Sequence, residues 1–428
     1  MFSLKEARYT YISVYAVEGP LLKKLTSFMD DYPKHFQILV AATFIDRVGG
    51  TMIQPFYSLY IVQKFGVNMT TIGLLFGLWS ISGVIGSMLG GALTDKIGRK
   101  TMIVAGLVLS ATSSILMGVV NELWAFALVS TVVGMLSDIA GPARGAMTTD
   151  MLPPERRAEG FGIVRVVGNL AWIIGPALGG LLAGRSYMLV FVADAIASII
   201  TAMIVLWKIP ETKPENSPEQ EKESFMDTIK GYGKVASDGL FLAYVLISML
   251  LITVYSQMYS TLSVYLNQQH NVPADGYGWL MSMNAALVVI LQISITRTTR
   301  KKPPMIMMAV ATILYGVGFT MFGFVDQYWL FMVAMAIITF GEMVHIPTSS
   351  GLVANLAPED KRGRYNAFAG LSWGIPNIFS TFFAGLIMDN LNPDLVWICA
   401  GCICVITMIG YLILNPYAQK RLQSIAQE

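Results

Sequence analysis

Seven ionisable residues lie inside long apolar segments: Asp46, Arg47, Asp138, Arg165, Asp194, Glu342 and His345. Charge at membrane depth is costly, and where it occurs it faces a partner or a wet path, so each is a candidate for moving protons or holding a charged ligand. Glu342 comes first. The only basic residue within one turn of it is His345, and a carboxyl with no compensating cation in low dielectric is suited to binding a proton on one side and releasing it on the other. Asp46 and Asp138 are the other candidate proton carriers. Asp46 either titrates or serves as a fixed partner of Arg47 or Arg165; successive helical residues do not face each other, so a partner on another helix suits it better. Asp138 carries the same two readings. Asp194, in FVADAIAS, reads as a helix-packing contact, and His345 either relays protons or hydrogen-bonds a ligand.

Helical spacing groups the polar residues into stripes. Arg47, Thr51, Gln54 and Ser58 recur at i, i+4, i+7 and i+11, and Ser256, Ser260, Ser263 and Asn267 repeat that spacing. Arg165, Asn169 and Trp172 form a third stripe, and Glu342, His345 and Ser349 a fourth. Stripes of this kind imply a shared wet interior. Tyr57, Tyr60, Tyr255, Tyr259, Trp172, Trp373 and Asn377 are expected nearest a ligand held there. The 26 methionines suit a pliable apolar pocket, although most are expected to pack or to face lipid.

The elements that must carry these residues are transmembrane helices. Of 428 residues, 54% are hydrophobic and 13% charged, about half the charge of an ordinary soluble domain. Apolar segments fall at 36–63, 70–93, 101–119, 123–149, 159–183 and 186–207, then at 239–268, 276–296, 305–325, 328–356, 365–388 and 394–415. Each is long enough for a bilayer, which needs about 20 residues. The fold class expected is therefore an all-α polytopic membrane protein with 12 helices. Alternate connections hold 24 Lys and Arg residues on one side, against Lys64 and Arg185 on the other, which places both ends and the long middle loop in the cytoplasm. The organisation expected is an N-terminal arm (1–35), a six-helix bundle (36–208), a central loop (209–238), a second bundle (239–415) and a tail (416–428). Cys399, Cys402 and Cys404 share one apolar run with no His or further Cys nearby, so they read as small apolar side chains and no metal site is expected.

Six plus six segments suggest a duplication. At an offset of 205, Tyr60 meets Tyr265, Gln63 meets Gln268, Gly73 meets Gly278, Thr51 meets Ser256 and Ser58 meets Ser263. An offset of 204 pairs Asp138 with Glu342. Such repeats occur in carriers built from two pseudo-symmetric bundles with a substrate site between them.

The stretch GALTDKIGRK, from Gly91 to Lys100, resembles the G-x-L-x-D-x-x-G-R-K signature of the major facilitator superfamily. The resemblance implies the two-bundle major facilitator fold, with spans 1, 4, 7 and 10 lining the cavity. It also implies a conformational latch at Gly91, Asp95, Gly98 and Arg99 that holds the cytoplasmic side closed, with Arg144 as the candidate partner of Asp95. GNLAWIIGPALGG resembles the Gly-Pro motif of proton-driven antiporters of that superfamily through Gly168, Gly175, Pro176 and Gly179. Around Glu342 and at the helix-end Asp150, the segments FGEMVHIPTSSGLVANLAPEDKRGRYNAF and GAMTTDMLPPERR resemble LmrP-type multidrug/proton antiporters.

The leading expectation is a proton-coupled carrier of the inner membrane that works by alternating access and expels lipophilic or cationic compounds. Two rivals stand beside it. Arg47 and Arg165 in the cavity suit a proton symporter importing a polar metabolite or peptide, and a third reading is a signalling or assembly protein on a carrier scaffold. No Walker loop, nucleophile elbow or metal-ligand cluster is present, so no enzyme is expected. The expected partners are a small-molecule substrate, protons and membrane lipid, with no nucleic acid and no cofactor beyond the proton gradient; the resemblance implies a monomer.

Overall fold

The computed structural model describes residues 31–137, 140–153, 156–213, 233, 235–299, 301–358 and 362–425. Among them the chain runs as twelve helical spans without a strand. The first six are Lys34–Phe65, Met69–Ile97, Arg99–Val119, Leu123–Ser137 continued by Ala140–Asp150, Arg157–Ala183 and Tyr187–Lys208. The second six begin with Gly239–Tyr255, which continues through Gln257–Ser260 and Leu262–His270 as one span. Ala274–Thr299, Pro304–Phe322, Tyr328–Leu356, Arg362–Asn390 and Leu395–Ile425 follow. Eleven spans are long and apolar enough to cross a membrane, and the apolar helix Leu123–Val132 lies in the remaining one, the fourth. The chain is a multi-pass membrane protein.

The repeat is built into the backbone at the same offset of 205. Tyr60 donates its hydroxyl to the Met117 carbonyl at 2.7 Å, and Tyr265 donates to Phe322 at 2.9 Å. The first span ends on Gly66 in the left-handed region (φ 62°), and the seventh ends on Asn271 (φ 53°), the one non-glycine with positive φ among the described residues. Asn tolerates that region better than other side-chain-bearing residues, so each half closes this span with the same turn. Both spans also break midway. In the first, Pro55 interrupts the helix with a 3-10 turn at Gln54–Phe56; the seventh breaks without a proline at Ser256 and at Thr261, the mate of Phe56, on either side of the short helix Gln257–Ser260.

The two bundles meet at one end and part at the other. We call the end at which Lys34 starts the first span the near end, and the opposite end the far end. At the far end a Cβ on Gly73 would overlap the Phe382 backbone, and one on Gly385 would come 2.5 Å from the Met69 carbonyl carbon. The second and eleventh spans therefore cross backbone to backbone. The fifth and eighth spans cross likewise, with a Gly278 Cβ falling 2.8 Å from the Pro176 carbonyl oxygen. Small residues allow this closeness, and van der Waals packing holds apolar helices together where no water is available to expel. At the near end Gly141, Gly145, Gly162, Gly351 and Gly370 face open space. The molecule is closed at the far end and open at the near end.

Candidate functional site

Between the bundles lies a chamber of about 650 Å³. An aromatic arc crosses its wall: Trp172 of the fifth span meets Tyr259 of the seventh edge-on at 5.2 Å, Tyr259 meets Tyr255 at 5.6 Å, and Tyr255 meets Trp373 of the eleventh at 5.7 Å. Tyr57 and Trp79 add a second aromatic face at 5.2 Å. Gln54, Asn169, Ser260 and Asn377 supply neutral polar groups to the same wall. Glu342, on the tenth span, brings the one carboxylate among the described lining residues. Asn284 of the eighth span donates Nδ2 to Glu342 Oε2 at 2.9 Å and also to Thr339 Oγ1 at 2.9 Å, and Thr339 donates back to the Met335 carbonyl at 2.7 Å. The Glu342 carboxylate is thereby aimed and held beside the aromatic arc.

A second chamber, of about 490 Å³, lies within the N-terminal half and takes in Asp46, Arg47, Arg144 and Asp194; it shares Gln54, Tyr57, Trp79 and Trp172 with the first. Here Asp46 forms a 2.8 Å ion pair with Arg144 of the fourth span and accepts a bond from Ser198 Oγ at 3.3 Å.

Four expectations change. The partner of Asp46 is Arg144, not Arg47 or Arg165, because the fourth span brings its guanidinium across the second chamber. Arg144, the candidate partner of Asp95, is engaged by Asp46; the Asp95 side chain lies outside what is described. His345 does not line the chamber: it is 3% exposed, its ring meets Tyr315 of the ninth span at 6.1 Å, and its Nε2 has no described partner. Residue 346 rather than 345 continues the Glu342 face, so Ile346 lines the wall in its place. Arg165 is exposed on the near-end half of the fifth span and lies outside both walls. The polar stripes, finally, are wet only in part. Gln54, Ser256 and Ser260 line the chamber, whereas their continuations Ser58 and Ser263, repeat mates, are 0% and 1% exposed at the closed end with no described partner for either hydroxyl. Asp138 lies outside the described residues.

At the near end the described bonds around the motif gather on Glu211 and Arg99. Gly91 and Asp95 fall within the helix of the second span, which stops at Gly98 (φ 114°); the side chains of Gly91 and Asp95 are outside what is described. Arg99 reaches Asp150 at 3.2 Å. One residue that sequence reasoning missed is Glu211, just past the sixth span, whose carboxylate accepts from the N–H groups of Arg99 (2.9 Å), Lys100 (3.1 Å), Thr212 (2.9 Å) and Lys213 (3.0 Å). An anion at a helix N-terminus satisfies donors that have no partner inside the helix. Burial pushes the Glu211 pKa up, but these four backbone bonds outweigh it and hold the carboxyl below its ordinary value. In the Gly-Pro segment, Gly175 and Gly179 let the fifth span lie directly on Thr51 and Met52 of the first, Pro176 meets the eighth span, and Gly168 faces open space.

Two bundles around a wet, aromatic chamber closed at one end define a secondary carrier of small molecules. The chain belongs to the Major Facilitator Superfamily, whose family model matches residues 39–381 and again 277–428. Among its relatives, a "Na(+), Li(+), K(+)/H(+) antiporter" of Planococcus maritimus is 26% identical over 372 residues, covering 81% of this chain and 87% of that one. The "Multidrug resistance protein MdtH" of Salmonella paratyphi B is 25% identical over 375 residues, covering 85% and 90%. The solved nucleoside transporter NupG superposes with a TM-score of 0.77 at 14% identity, covering 89% of this chain and all (100%) of that one, a likeness of fold. The chain is a transporter and not an enzyme.

Proposed function

We propose that this carrier exchanges protons for lipophilic cations by alternating access, expelling them across the inner membrane with the near end, including both chain ends, in the cytoplasm. It draws on the proton gradient without a bound cofactor and acts as a monomer. The observation that carries the reading is the placement of Glu342: the one carboxylate among the described lining residues, beside the Trp172, Tyr259, Tyr255 and Trp373 arc in a chamber large enough for a drug-sized molecule. Aromatic faces attract a cation through the ring quadrupole, and one carboxylate that holds either a proton or the cation couples the two fluxes. The names of two relatives, one a cation/proton antiporter and one a multidrug resistance protein, support exchange in this direction.

The test is proton movement in proteoliposomes carrying an imposed pH gradient, with wild type and Glu342→Gln challenged by lipophilic cations, by sodium and potassium, and by small polar solutes. Lipophilic cations are expected to discharge the gradient only where Glu342 is intact. Discharge by sodium or potassium alone would make the protein an inorganic-cation antiporter. Proton uptake in the same direction as a polar solute would make it a symporter.

A further inference from the structure

The second chamber holds a carboxylate that the exchange described above leaves unused. Asp194 of the sixth span is 6% exposed and lines the chamber. Ser114 of the third span donates its hydroxyl to Asp194 Oδ2. The other oxygen, Oδ1, lies over Gly49 of the first span, where a Cβ would come within 2.8 Å. Among the described residues, the other charged and titratable groups of the chamber are Asp46, Arg47 and Tyr57 from the first span and Arg144 from the fourth. The third span contributes no ionisable group to the wall, and the fifth contributes Phe161, Val164 and Trp172. Arg144 is engaged by Asp46 at 2.8 Å, and among the described residues Asp194 forms no ion pair.

A plain packing contact accounts for the bond to Ser114 but not for a carboxyl facing a chamber large enough to hold water. Buried carboxylates are ordinarily paired with cations or hydrogen-bonded on several sides, and this one has a single hydroxyl donor and another acid as its neighbour. We propose that Asp194 is a second proton-binding group of the transport cycle, loaded and emptied through the N-terminal chamber while Glu342 serves the chamber between the halves. The step is a simple dissociation: the carboxyl O–H gives its proton to chamber water, Ser114 remains as donor to the anion, and the return step takes a proton from water. This assignment rests on the reading of the chain as a proton-coupled carrier.

Two proton sites for one monovalent cation make the exchange move one net charge per cycle, and one site makes it electroneutral. At 100 mV one charge changes the attainable substrate gradient about 50-fold. The experiment compares wild type, Asp194→Asn and Glu342→Gln in proteoliposomes with tetraphenylphosphonium as the probe, under a pH gradient alone and under a potassium-diffusion potential alone. Wild type is expected to respond to both driving forces, and Asp194→Asn to the pH gradient only. An Asp194→Asn protein that keeps the wild-type response to potential overturns this proposal and leaves the exchange reading standing. A wild type that moves no protons overturns both. Should Asp194→Asn fail to fold, the infrared carboxyl band of purified wild type and Ser114→Ala decides: a band that titrates with pH and shifts on loss of the hydroxyl supports the assignment, and spectra that coincide overturn it.

Discussion

Asp389, at the far end of the eleventh span, caps the second span of the other half at Thr70: its carboxylate accepts from the Thr70 N–H at 2.7 Å, with further bonds from the Thr70 hydroxyl and from Met69 N at 3.0 Å. The second span has its own cap in Asn68, which takes the Thr71 N–H at 3.0 Å, so the carboxylate from across the seam satisfies the donors that Asn68 leaves free. Such a cap exists only while the far end is closed. Loss of a helix cap costs about 1 kcal/mol, so Asp389→Ala is expected to shift the balance between far-end-closed and far-end-open forms about fivefold toward the open one. Spin-label distances between the far ends of the second and eleventh spans would show this. An unchanged distance distribution would mean that the cap follows closure without contributing to it.

The glycines of the same seam set a stricter condition. A side chain on Gly73 meets Phe382 backbone, not the movable end of a side chain, and backbone cannot yield without separating the helices. Gly73→Leu is expected to fold, to hold the far end open, and to lower transport at least tenfold. Labelling of a cysteine placed at Ser256, in the chamber wall, would become faster from the far side and slower from the near side.

How much of this could be read beforehand follows from the physics of each signal. The spans, their number and the repeat are properties of hydropathy and composition, and the offset that paired Tyr60 with Tyr265 reappears in their two hydroxyl bonds. Glu342 and the aromatic arc were legible because a carboxylate and tyrosines at helical spacing on an apolar span leave few alternatives. Asn284 was not, since one neutral amide in a span assigned outside the cavity carries little weight. The pairing of Arg144 with Asp46 was not legible because helical spacing sets the face of a residue but not its depth relative to other helices. Glu211 and Asp389 act at helix ends contributed by distant parts of the chain, and no local pattern records such a meeting.

The ion pair of Asp46 and Arg144 lends itself to a double-mutant cycle. Both side chains are largely withdrawn from water, so removing one leaves a poorly solvated charge behind. Arg144→Ala alone is expected to destabilise the detergent-solubilised protein by about 2 kcal/mol, as is Asp46→Ala alone. The double variant should recover part of that loss, because neither charge is then left unpaired. Additive losses in thermal unfolding would show that Arg144 and Asp46 are not coupled.

Acid should loosen the near end first, and the sign follows from its carboxylates. Asp238 begins the seventh span, taking the Phe241 N–H at 3.2 Å, and it accepts from Arg421 Nη1 at 2.6 Å and the Tyr365 hydroxyl at 2.8 Å. Burial raises its pKa, but these bonds and the Arg421 charge outweigh burial and hold it below the ordinary aspartate value, as the backbone bonds do for Glu211. A group depressed in the folded state contributes stability that is complete above its unfolded pKa and disappears as pH falls through the folded one. The thermal midpoint is therefore expected to be insensitive to these two groups from pH 7 to about 5, and to drop below about pH 4, where unfolded carboxylates take up protons. Asp238→Asn should lower the midpoint at pH 7 and flatten the acid limb. If the variant keeps the wild-type acid limb, the loss arises elsewhere in the protein and Asp238 contributes nothing to it.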